Sequence, residues 1–205
     1  LVGLIFGIQQ PDSGKGITDG KDAGIHNLRD ALRAGIGLIT EDRRKLGLFI
    51  GRNLIENMAL VHNDVFKGFI VDRDEEKELS NLMVEELSIA TSDINQLVEE
   101  LSGGNQQKVV IARWLLDDAT LCIFDEPTKG VDISAKQGIL NIVKNNLSRD
   151  AGVIITSPGL EDLINICDRI LIIYKGRITG EFLRGELKEN DLFLAVQGGV
   201  QDKCS

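Results

Sequence analysis

The sequence predicts an α/β fold built on a mostly parallel sheet, with a helical subdomain inserted into it. Three short apolar runs, typical of buried strands, follow one another in the second half of the chain at 121–124, 153–155 and 170–174. Helical patterns over 133–147 and 160–166 separate these runs. Short apolar strands that alternate with helices are typical of a parallel sheet whose two faces are covered. A mostly helical stretch, from about 53 to 116, precedes them.

Composition limits the function classes. A chain of 205 residues fits one domain, or one domain with a subdomain. Its net charge of -9 argues against a surface that coats nucleic acid. The apolar runs are shorter than the roughly 20 residues that a membrane span needs, so we expect membrane association only through a partner. The 3 cysteines form no CxxC pair and favour free thiols in a reducing compartment.

The first fifty residues predict short elements joined by turns. We expect a helix end at 1–7, a turn cluster at 11–16, a hairpin near 17–20, a helix at 28–34 and a strand at 37–40. Gly7 and Gly35 mark the two helix ends. A charged loop, Glu41–Lys45, follows the strand. Because acids adjoin the basic residues there, we interpret Arg43, Arg44 and Lys45 as a solvated loop that faces a partner, not as a phosphate-binding patch.

Two helices are predicted in the stretch before the apolar runs. Asp72 is a suitable N-cap, and Glu75 three residues later completes a pattern like a capping box. The spacing of the apolar residues behind it predicts one buried face, formed by Leu79, Leu82, Met83 and Leu87. Ser102 or Gly103 opens the second helix, which is apolar on most faces. We therefore expect Trp114 to lie in the core.

Two acids follow the apolar run 121–124. Asp125 and Glu126 stand at the carboxyl end of the predicted strand, and open α/β sheets bind ligands at that edge. In this interpretation Asp125 holds Mg²⁺ through water, because Mg²⁺ keeps much of its hydration shell. Glu126 then orients and deprotonates an attacking water. The alternative is a strand that ends in solvated acids without chemistry.

A glycine-rich helix start lies about twenty residues before Asp125 and Glu126. Ser102, Gly103 and Gly104 leave room for backbone N–H groups to approach an anion, and a helix N-terminus favours negative charge. The Ser102 hydroxyl could cap the helix or bind a phosphate oxygen. The alternative is an ordinary Ser-Gly-Gly helix start without a ligand.

Taken together, these motifs resemble a known family. Leu101–Lys108 resembles the signature loop of ABC-type ATPases, and Leu121–Glu126 resembles their Walker B strand at that family's separation. The resemblance implies a P-loop NTPase core with an inserted helical subdomain. It also implies ATP and Mg²⁺ as cofactors, with ATP bound between two cassettes. The signature residues Ser102, Gly103, Gly104 and Gln106 would then contact the ATP held by the facing cassette.

The resemblance extends to neighbouring motifs. Glu41 occupies the place of the family's Q-loop glutamine, and Asp132 matches its D-loop aspartate. Thr40–Arg44, Asn105–Lys108 and Asp125–Asp132 are similar to the C-terminal cassette of double-cassette importers for ribose-, galactose- or xylose-type monosaccharides. This similarity implies a second cassette and membrane permease subunits as partners, a periplasmic or extracellular sugar-binding protein indirectly, and no nucleic acid. It implies a peripheral location on the cytoplasmic face of the plasma membrane.

The family's order of elements suggests how the chain is divided. We expect an N-terminal core piece with its hairpin at 1–49 and a helical subdomain that carries the signature loop at 50–116. The Walker B half of the core follows at 117–196, with a hairpin turn at Lys175–Arg177, a strand at 178–182 and a last helix at 187–196. A tail at 197–205 ends the chain.

Two departures from the family pattern leave alternatives open. A P-loop requires G-x-x-x-x-G-K-[ST], and the segment ending in Ser13–Gly16 fails because Gln9 and Gly16 stand at required positions. We therefore expect the first strand and P-loop to precede Leu1 and the printed chain alone to be inactive. Pro158 stands where the family has its switch histidine and cannot relay a proton. A catalytically inactive regulatory or remnant cassette, or a non-transport ABC ATPase, thus remain alternatives to an active importer subunit.

Overall fold

The computed structural model describes residues 1–18, 20–62, 72–116, 119–147, 151–184 and 196. The chain forms two compact units, Leu1–Thr156 and Ser157–Ser205. The predicted last helix at 187–196 and the tail at 197–205 lie outside the described residues, apart from Val196.

A parallel sheet forms the centre of the first unit, as predicted. Strand β4 (Leu121–Asp125) lies between β3 (Ile36–Ile39) and β5 (Gly152–Thr156), and both pairings are parallel. Ile123 and Phe124 in the central strand are fully buried. The register places Asp125 opposite Thr156. The last residue of β4 therefore lies at the carboxyl edge of the sheet, where ligands of such sheets bind.

The elements before the sheet follow the sequence expectation. They are helix α1 (Val2–Ile5), the antiparallel hairpin of β1 (Ile17–Thr18) and β2 (Lys21–Asp22), and helix α2 (Leu28–Arg33). The Asn27 side chain caps α2 by accepting from the N–H groups of Arg29 and Asp30. Gly35, with φ of +72°, then turns the chain into β3.

The region between β3 and β4 is mostly helical in the described residues. A π-helical turn at Arg43–Gly47 and a 3₁₀ turn at Val98–Glu100 accompany helices α3 (Leu54–Met58), α4 (Leu60–His62), α5 (Arg73–Glu86) and α6 (Gly103–Leu115). Asn53 and Glu56 form a capping box at α3 that was not predicted.

Helix α5 confirms the predicted N-cap and corrects the predicted buried face. The Asp72 side chain accepts from the N–H groups of Asp74 and Glu75. Leu82 is 53% exposed, whereas Ser80 is fully buried. The buried stripe instead follows Ser80 and Leu87, which are seven residues apart and so lie on one helix face. The prediction that Leu82 is buried was therefore wrong.

Helix α6 lies in the core. Val109, Ile111 and Ala112 are fully buried, and Trp114 is 6% exposed, which confirms its predicted core position. The Trp114 ring meets Phe6 edge to face, with ring centroids 6.3 Å apart. The helix packs against α3, β3 and α7 (Ile133–Ile142).

Helix α7 follows the D-loop aspartate. Asp132 is its N-cap, and a π-helical turn at Val143–Leu147 continues the helix, so the predicted helix over 133–147 is confirmed. Among the described helices, none has the length and apolarity needed to cross a membrane.

The second unit contains helix α8 (Leu160–Ile166) and a two-stranded antiparallel sheet of β6 (Arg169–Tyr174) and β7 (Arg177–Leu183). Ile170 and Ile172 are the buried residues of its hydrophobic cluster, packed with Leu160, Leu163, Ile164, Cys167 and Phe182. The sequence placed 170–174 in the parallel sheet. In the described part of the chain β6 pairs with β7 instead, so that prediction was wrong. Lys175 and Gly176 both have positive φ, the conformation of a tight hairpin turn.

Candidate functional site

Thr156 fixes the backbone around the two acids at the end of β4. Its hydroxyl donates to Asp125 Oδ1 at 2.7 Å. The Glu126 N–H donates to the Thr156 carbonyl oxygen at 3.1 Å and to its hydroxyl oxygen, also at 3.1 Å. The strand pairing of Asp125 with Thr156 brings these groups together. A residue of β5 therefore orients both predicted functional acids.

Glu126 has a left-handed backbone conformation. Its φ is +47°, which a non-glycine residue adopts at a cost of about 1–3 kcal/mol. The two hydrogen bonds to Thr156 hold this conformation, and the side chain is 33% exposed. Such outliers occur often at functional sites, where the surrounding structure maintains them. The geometry thus presents the Glu126 carboxylate at the sheet edge.

The donor set at this edge fits Mg²⁺ held mainly by water and phosphate. Asp125 is half-buried and supplies carboxylate oxygens, the ligand type that Mg²⁺ prefers. Among the described residues, no group of three or more His, Cys, Asp and Glu side chains could hold a metal ion. Mg²⁺ commonly uses one or two carboxylates together with water and substrate phosphates. Asp125 would supply one such carboxylate.

The predicted signature loop forms the N-terminus of α6. Ser102 is the exposed N-cap, and its hydroxyl accepts from the Asn105 N–H at 3.4 Å and from Asn105 Nδ2 at 3.0 Å. A Cβ on Gly103 would lie 2.5 Å from Arg43 Nη2, and one on Gly104 would lie 2.4 Å from the Ala135 Cβ. At Gly103 the Arg43 side chain would have to move, and at Gly104 the helix that carries Ala135 would have to move. The two glycines therefore let α6 approach Arg43 and α7 closely.

Gln106 points into the loop. Its side chain is 4% exposed, and Nε2 donates to the carbonyl oxygens of Val98 and Leu101, each at 3.2 Å. These bonds tie the first turn of α6 to the segment that precedes it. The Gln106 amide thus stabilises the signature loop, and its expected contact with nucleotide stays a prediction.

Arg43 differs from the sequence expectation. Its guanidinium donates from Nη1 to the Lys129 carbonyl oxygen at 3.0 Å and from Nη2 to that of Gly130 at 3.3 Å. Burial lowers the pKa of this guanidinium. Arg44 and Lys45 are exposed as predicted, but the prediction of a solvated residue was wrong for Arg43. Arg43 instead joins the segment after β3 to the segment that leads into α7.

Lys129 lies between the predicted Q-loop and catalytic carboxylates. Its Nζ is 3.0 Å from Glu41 Oε1 and 3.7 Å from Glu126 Oε2. The hydrogen bond and charge of Glu41 raise the pKa of Lys129, with a smaller contribution from Glu126. Glu41 and Glu126 therefore both contact the ammonium group of Lys129.

The predicted D-loop aspartate is engaged as a helix cap. Asp132 Oδ1 accepts from the Ala135 N–H at 2.9 Å and from the Ser134 hydroxyl at 2.7 Å. These hydrogen bonds lower the pKa of Asp132. Because α6 meets α7 at Gly104 and Ala135, the D-loop and the signature loop belong to one packed assembly.

Pro158, at the predicted switch position, lies in the second unit. It is exposed and stands between Ser157, whose hydroxyl accepts from the Gly159 N–H at 3.1 Å, and helix α8. A proline side chain has no proton to donate or accept.

Three residues of the site were missed by the sequence analysis. Thr156, Lys129 and Arg43 act through partners that are 31, 88 and 86 residues distant along the chain. For Thr156 the signal was its position at the end of an apolar run beside the Walker B strand. For Lys129 and Arg43 no local pattern gave the partner.

Comparisons with known proteins decide the family. The profile described as "ABC transporter" matches residues 1–129. The chain belongs to the ABC transporter family. The fold class predicted from sequence, a P-loop NTPase of the ABC type, is thereby confirmed.

This ABC cassette has curated relatives over almost its whole length. It is 39% identical over 197 residues to "Ribose import ATP-binding protein RbsA" of Caldanaerobacter subterraneus subsp. tengcongensis, covering 95% of the chain and 40% of that protein. It is 36% identical over 201 residues to the protein of the same name in Bacillus subtilis, covering 97% and 41%. The predicted resemblance to monosaccharide importers is confirmed. The chain spans about two fifths of the length of these relatives.

Solved structures support the fold of the ABC cassette. The ABC transporter cassette MJ1267 matches with a TM-score of 0.80 at 21% identity, covering 96% of this chain and 80% of that one. The cassette MJ0796, solved as a dimer bound to ADP and Pi, matches with a TM-score of 0.73 at 20% identity, covering 89% and 78%. These likenesses show the ABC ATPase fold.

Substitution of Gly104 by Ala is expected to destabilise the cassette by about 1–3 kcal/mol, because the added methyl group would overlap the Ala135 Cβ. This loss outweighs the gain in helix propensity, which is about 1 kcal/mol at most. Urea unfolding of the chain measures the change. Gly51→Ala, where a Cβ meets open space, is the matched control and should stay within about 0.5 kcal/mol. Equal stability of the two variants would contradict the close approach of α6 and α7.

Proposed function

We propose that this chain is part of the ATP-binding subunit of an ABC importer for a monosaccharide of the ribose, galactose or xylose type. The arrangement that carries the proposal is the pair of acids at the carboxyl end of β4, both oriented by Thr156. The names of the relatives, ribose import ATP-binding proteins, support the sugar class.

The described residues suit ATP hydrolysis mainly by positioning. Asp125 would hold Mg²⁺ through water, and the bound ion neutralises phosphate charge. Glu126 would orient the attacking water and accept its proton. The left-handed backbone at Glu126 fixes the direction of the carboxylate before substrate binds, and such preorganisation favours catalysis.

The signature loop would serve a second ATP site. The exposed Ser102 hydroxyl and the N–H groups at Gly103 and Gly104 form a helix N-terminus suited to phosphate. The ATP bound there would be held by a second cassette, upstream in the same chain or on another subunit. Asp132, at the D-loop position, would face that cassette.

The remaining partners follow from this assignment. The helical subdomain, expected at 50–116, would contact membrane permease subunits, and closure of the two cassettes on ATP would move them. A periplasmic or extracellular sugar-binding protein would supply the sugar to the permease. The chain would therefore work at the cytoplasmic face of the plasma membrane as a peripheral subunit.

Transport by the complete importer tests this function. The ATP-binding subunit, permease and sugar-binding protein are assembled in lipid vesicles, and uptake of labelled ribose, galactose and xylose is measured with and without MgATP. We expect ATP-dependent uptake of at least one of the three sugars. ATP hydrolysis without uptake of any of them would contradict the sugar class, and failure of both would contradict an active subunit.

The second candidate is a catalytically inactive cassette with a regulatory role. Pro158 favours it, because a proline at the switch position has no proton to relay. In that case Asp125 and Glu126 would still bind nucleotide and contribute to closure, while hydrolysis would occur at the other composite site. The Glu126 variant described in the Discussion distinguishes the two candidates.

A further inference from the structure

Lys129 forms one cation between two carboxylates that belong to distant parts of the chain. Its Nζ lies 3.0 Å from Glu41 Oε1 and 3.7 Å from Glu126 Oε2. The Glu41 contact also meets the criteria of a hydrogen bond. All three side chains are partly exposed, at 54%, 46% and 33% for Lys129, Glu41 and Glu126. The shorter distance indicates that the Lys129 ammonium group interacts more strongly with Glu41 than with Glu126.

Hydrogen bonds hold the Lys129 backbone at its N–H group and at its carbonyl oxygen. The Lys129 N–H donates to the Glu126 carbonyl oxygen at 3.0 Å. The Arg43 guanidinium donates to the carbonyl oxygens of Lys129 and Gly130. Glu41 lies only two residues before Arg43. One short segment therefore contacts both the main chain and the ammonium group of Lys129. Glu41 raises the pKa of Lys129, which keeps this group charged.

We propose that Lys129 is a positioning residue that links the Q-loop position Glu41 to the general base Glu126. This inference rests on the proposed role of Glu126 in ATP hydrolysis. An ammonium group on Oε2 occupies an oxygen that the base needs for the attacking water. Glu41 competes for that ammonium group and so limits its hold on Glu126.

Because Glu41 and Glu126 compete for the Lys129 ammonium group, the position of Glu41 determines how strongly Lys129 binds Glu126. Exposed ion pairs are individually weak, so a small displacement of Glu41 is enough to change which carboxylate holds Lys129. With Glu41 withdrawn, the ammonium group is left to Glu126 alone and restrains the base. With Glu41 in place, as in this structure, Glu126 is only loosely paired. The segment after β3 can thereby set the availability of the base.

The first arm of the test measures the contacts without any catalysis. The 205-residue chain is treated with acetic anhydride at fixed pH, and the acetylation rates of Lys129 and of the exposed Lys15 are compared by mass spectrometry. A lysine held by two carboxylates stays protonated, so we expect Lys129 to react at least about threefold more slowly than Lys15. Glu41→Gln and Glu126→Gln should each raise the rate, and the double variant should raise it furthest. An unchanged rate on adding Glu126→Gln to Glu41→Gln would overturn the link.

The second arm is a double-mutant cycle in the assembled transporter. Glu41→Gln should lower kcat for ATP hydrolysis about threefold with little change in KM, because it leaves Lys129 to Glu126. In a Lys129→Met background the same substitution should have no effect, since the shared cation is gone. Lys129→Arg, which keeps the charge, should restore the effect of Glu41→Gln. An equal effect of Glu41→Gln in both backgrounds would refute the proposal.

A Glu126→Gln transporter separates failure of this proposal from failure of the proposed function. If the wild-type transporter hydrolyses ATP no faster than this variant, Glu126 has no catalytic role. The proposed effect of Lys129 on catalysis is then also wrong. The acetylation rates then still report whether Lys129 joins the two carboxylates. If wild type is active and the variant is not, the cycle alone decides the role of Lys129.

Discussion

Replacement of Glu126 by Gln should reduce the rate of ATP hydrolysis by the assembled transporter about 10²–10⁴-fold, the usual contribution of a general base. Glutamine keeps the shape of the side chain and the left-handed backbone that Thr156 maintains, but it cannot accept a proton. The measurement is steady-state phosphate release at saturating MgATP. If the partner cassette's own site remains active, the loss is read in a single-turnover experiment on the site that contains Glu126.

The control for this variant is a carboxylate far from the sheet edge. Glu85 is exposed near the end of α5, so Glu85→Gln makes the same chemical change without touching the site. We expect Glu85→Gln to hydrolyse ATP at the wild-type rate. Unchanged hydrolysis in Glu126→Gln would support the candidate of an inactive cassette. The proline at position 158, which has no proton to relay, also favours that candidate.

Substitution of Ser102 by Arg should abolish ATP-driven closure of the two cassettes and lower hydrolysis at least about tenfold, equivalent to 1.4 kcal/mol. Ser102 is the exposed N-cap of the signature helix, and a long side chain there would fill the space in front of the helix N-terminus where phosphate is expected. Closure is measured as ATP-dependent association of the cassettes, with hydrolysis measured in parallel.

Two variants separate this steric effect from loss of the helix cap. Ser102→Ala removes the hydroxyl that accepts from Asn105 and should cost about 0.5–2 kcal/mol of stability while leaving the space open. Ser13→Arg places the same charge at an exposed turn and should leave closure intact. If Ser102→Arg closes and hydrolyses like Ser13→Arg, the signature assignment is wrong.

Local patterns were sufficient for the parts of the site that lie on single elements. The apolar run before Asp125 and Glu126 predicted a strand that ends in acids, and the parallel sheet confirms it. The small residues at 102–104 predicted a helix start, which α6 confirms. In both cases the residues that define the feature are neighbours along the chain, so that the sequence contains the whole signal.

Contacts between distant segments could not be predicted in the same way. Arg43 stands among charged neighbours and resembles a solvated residue until β3 and α7 bring its guanidinium to two carbonyl oxygens. Gln106 lies within a glycine-rich motif, but its helical position turns its amide inward. Strand partners were predicted only in part. The hairpin turn predicted at Lys175–Arg177 is confirmed, but the run at 170–174 is as apolar as 121–124 and was therefore also placed in the parallel sheet.

The contact between Gly104 and Ala135 has a mechanical consequence. Because Gly104 has no side chain, the start of α6 packs closely against the Ala135 methyl group at the start of α7. If phosphate binds in front of Ser102 as proposed, a displacement there would be transmitted through this contact to Asp132, the N-cap of α7. In that case the signature loop and the D-loop would respond together to nucleotide held by the facing cassette.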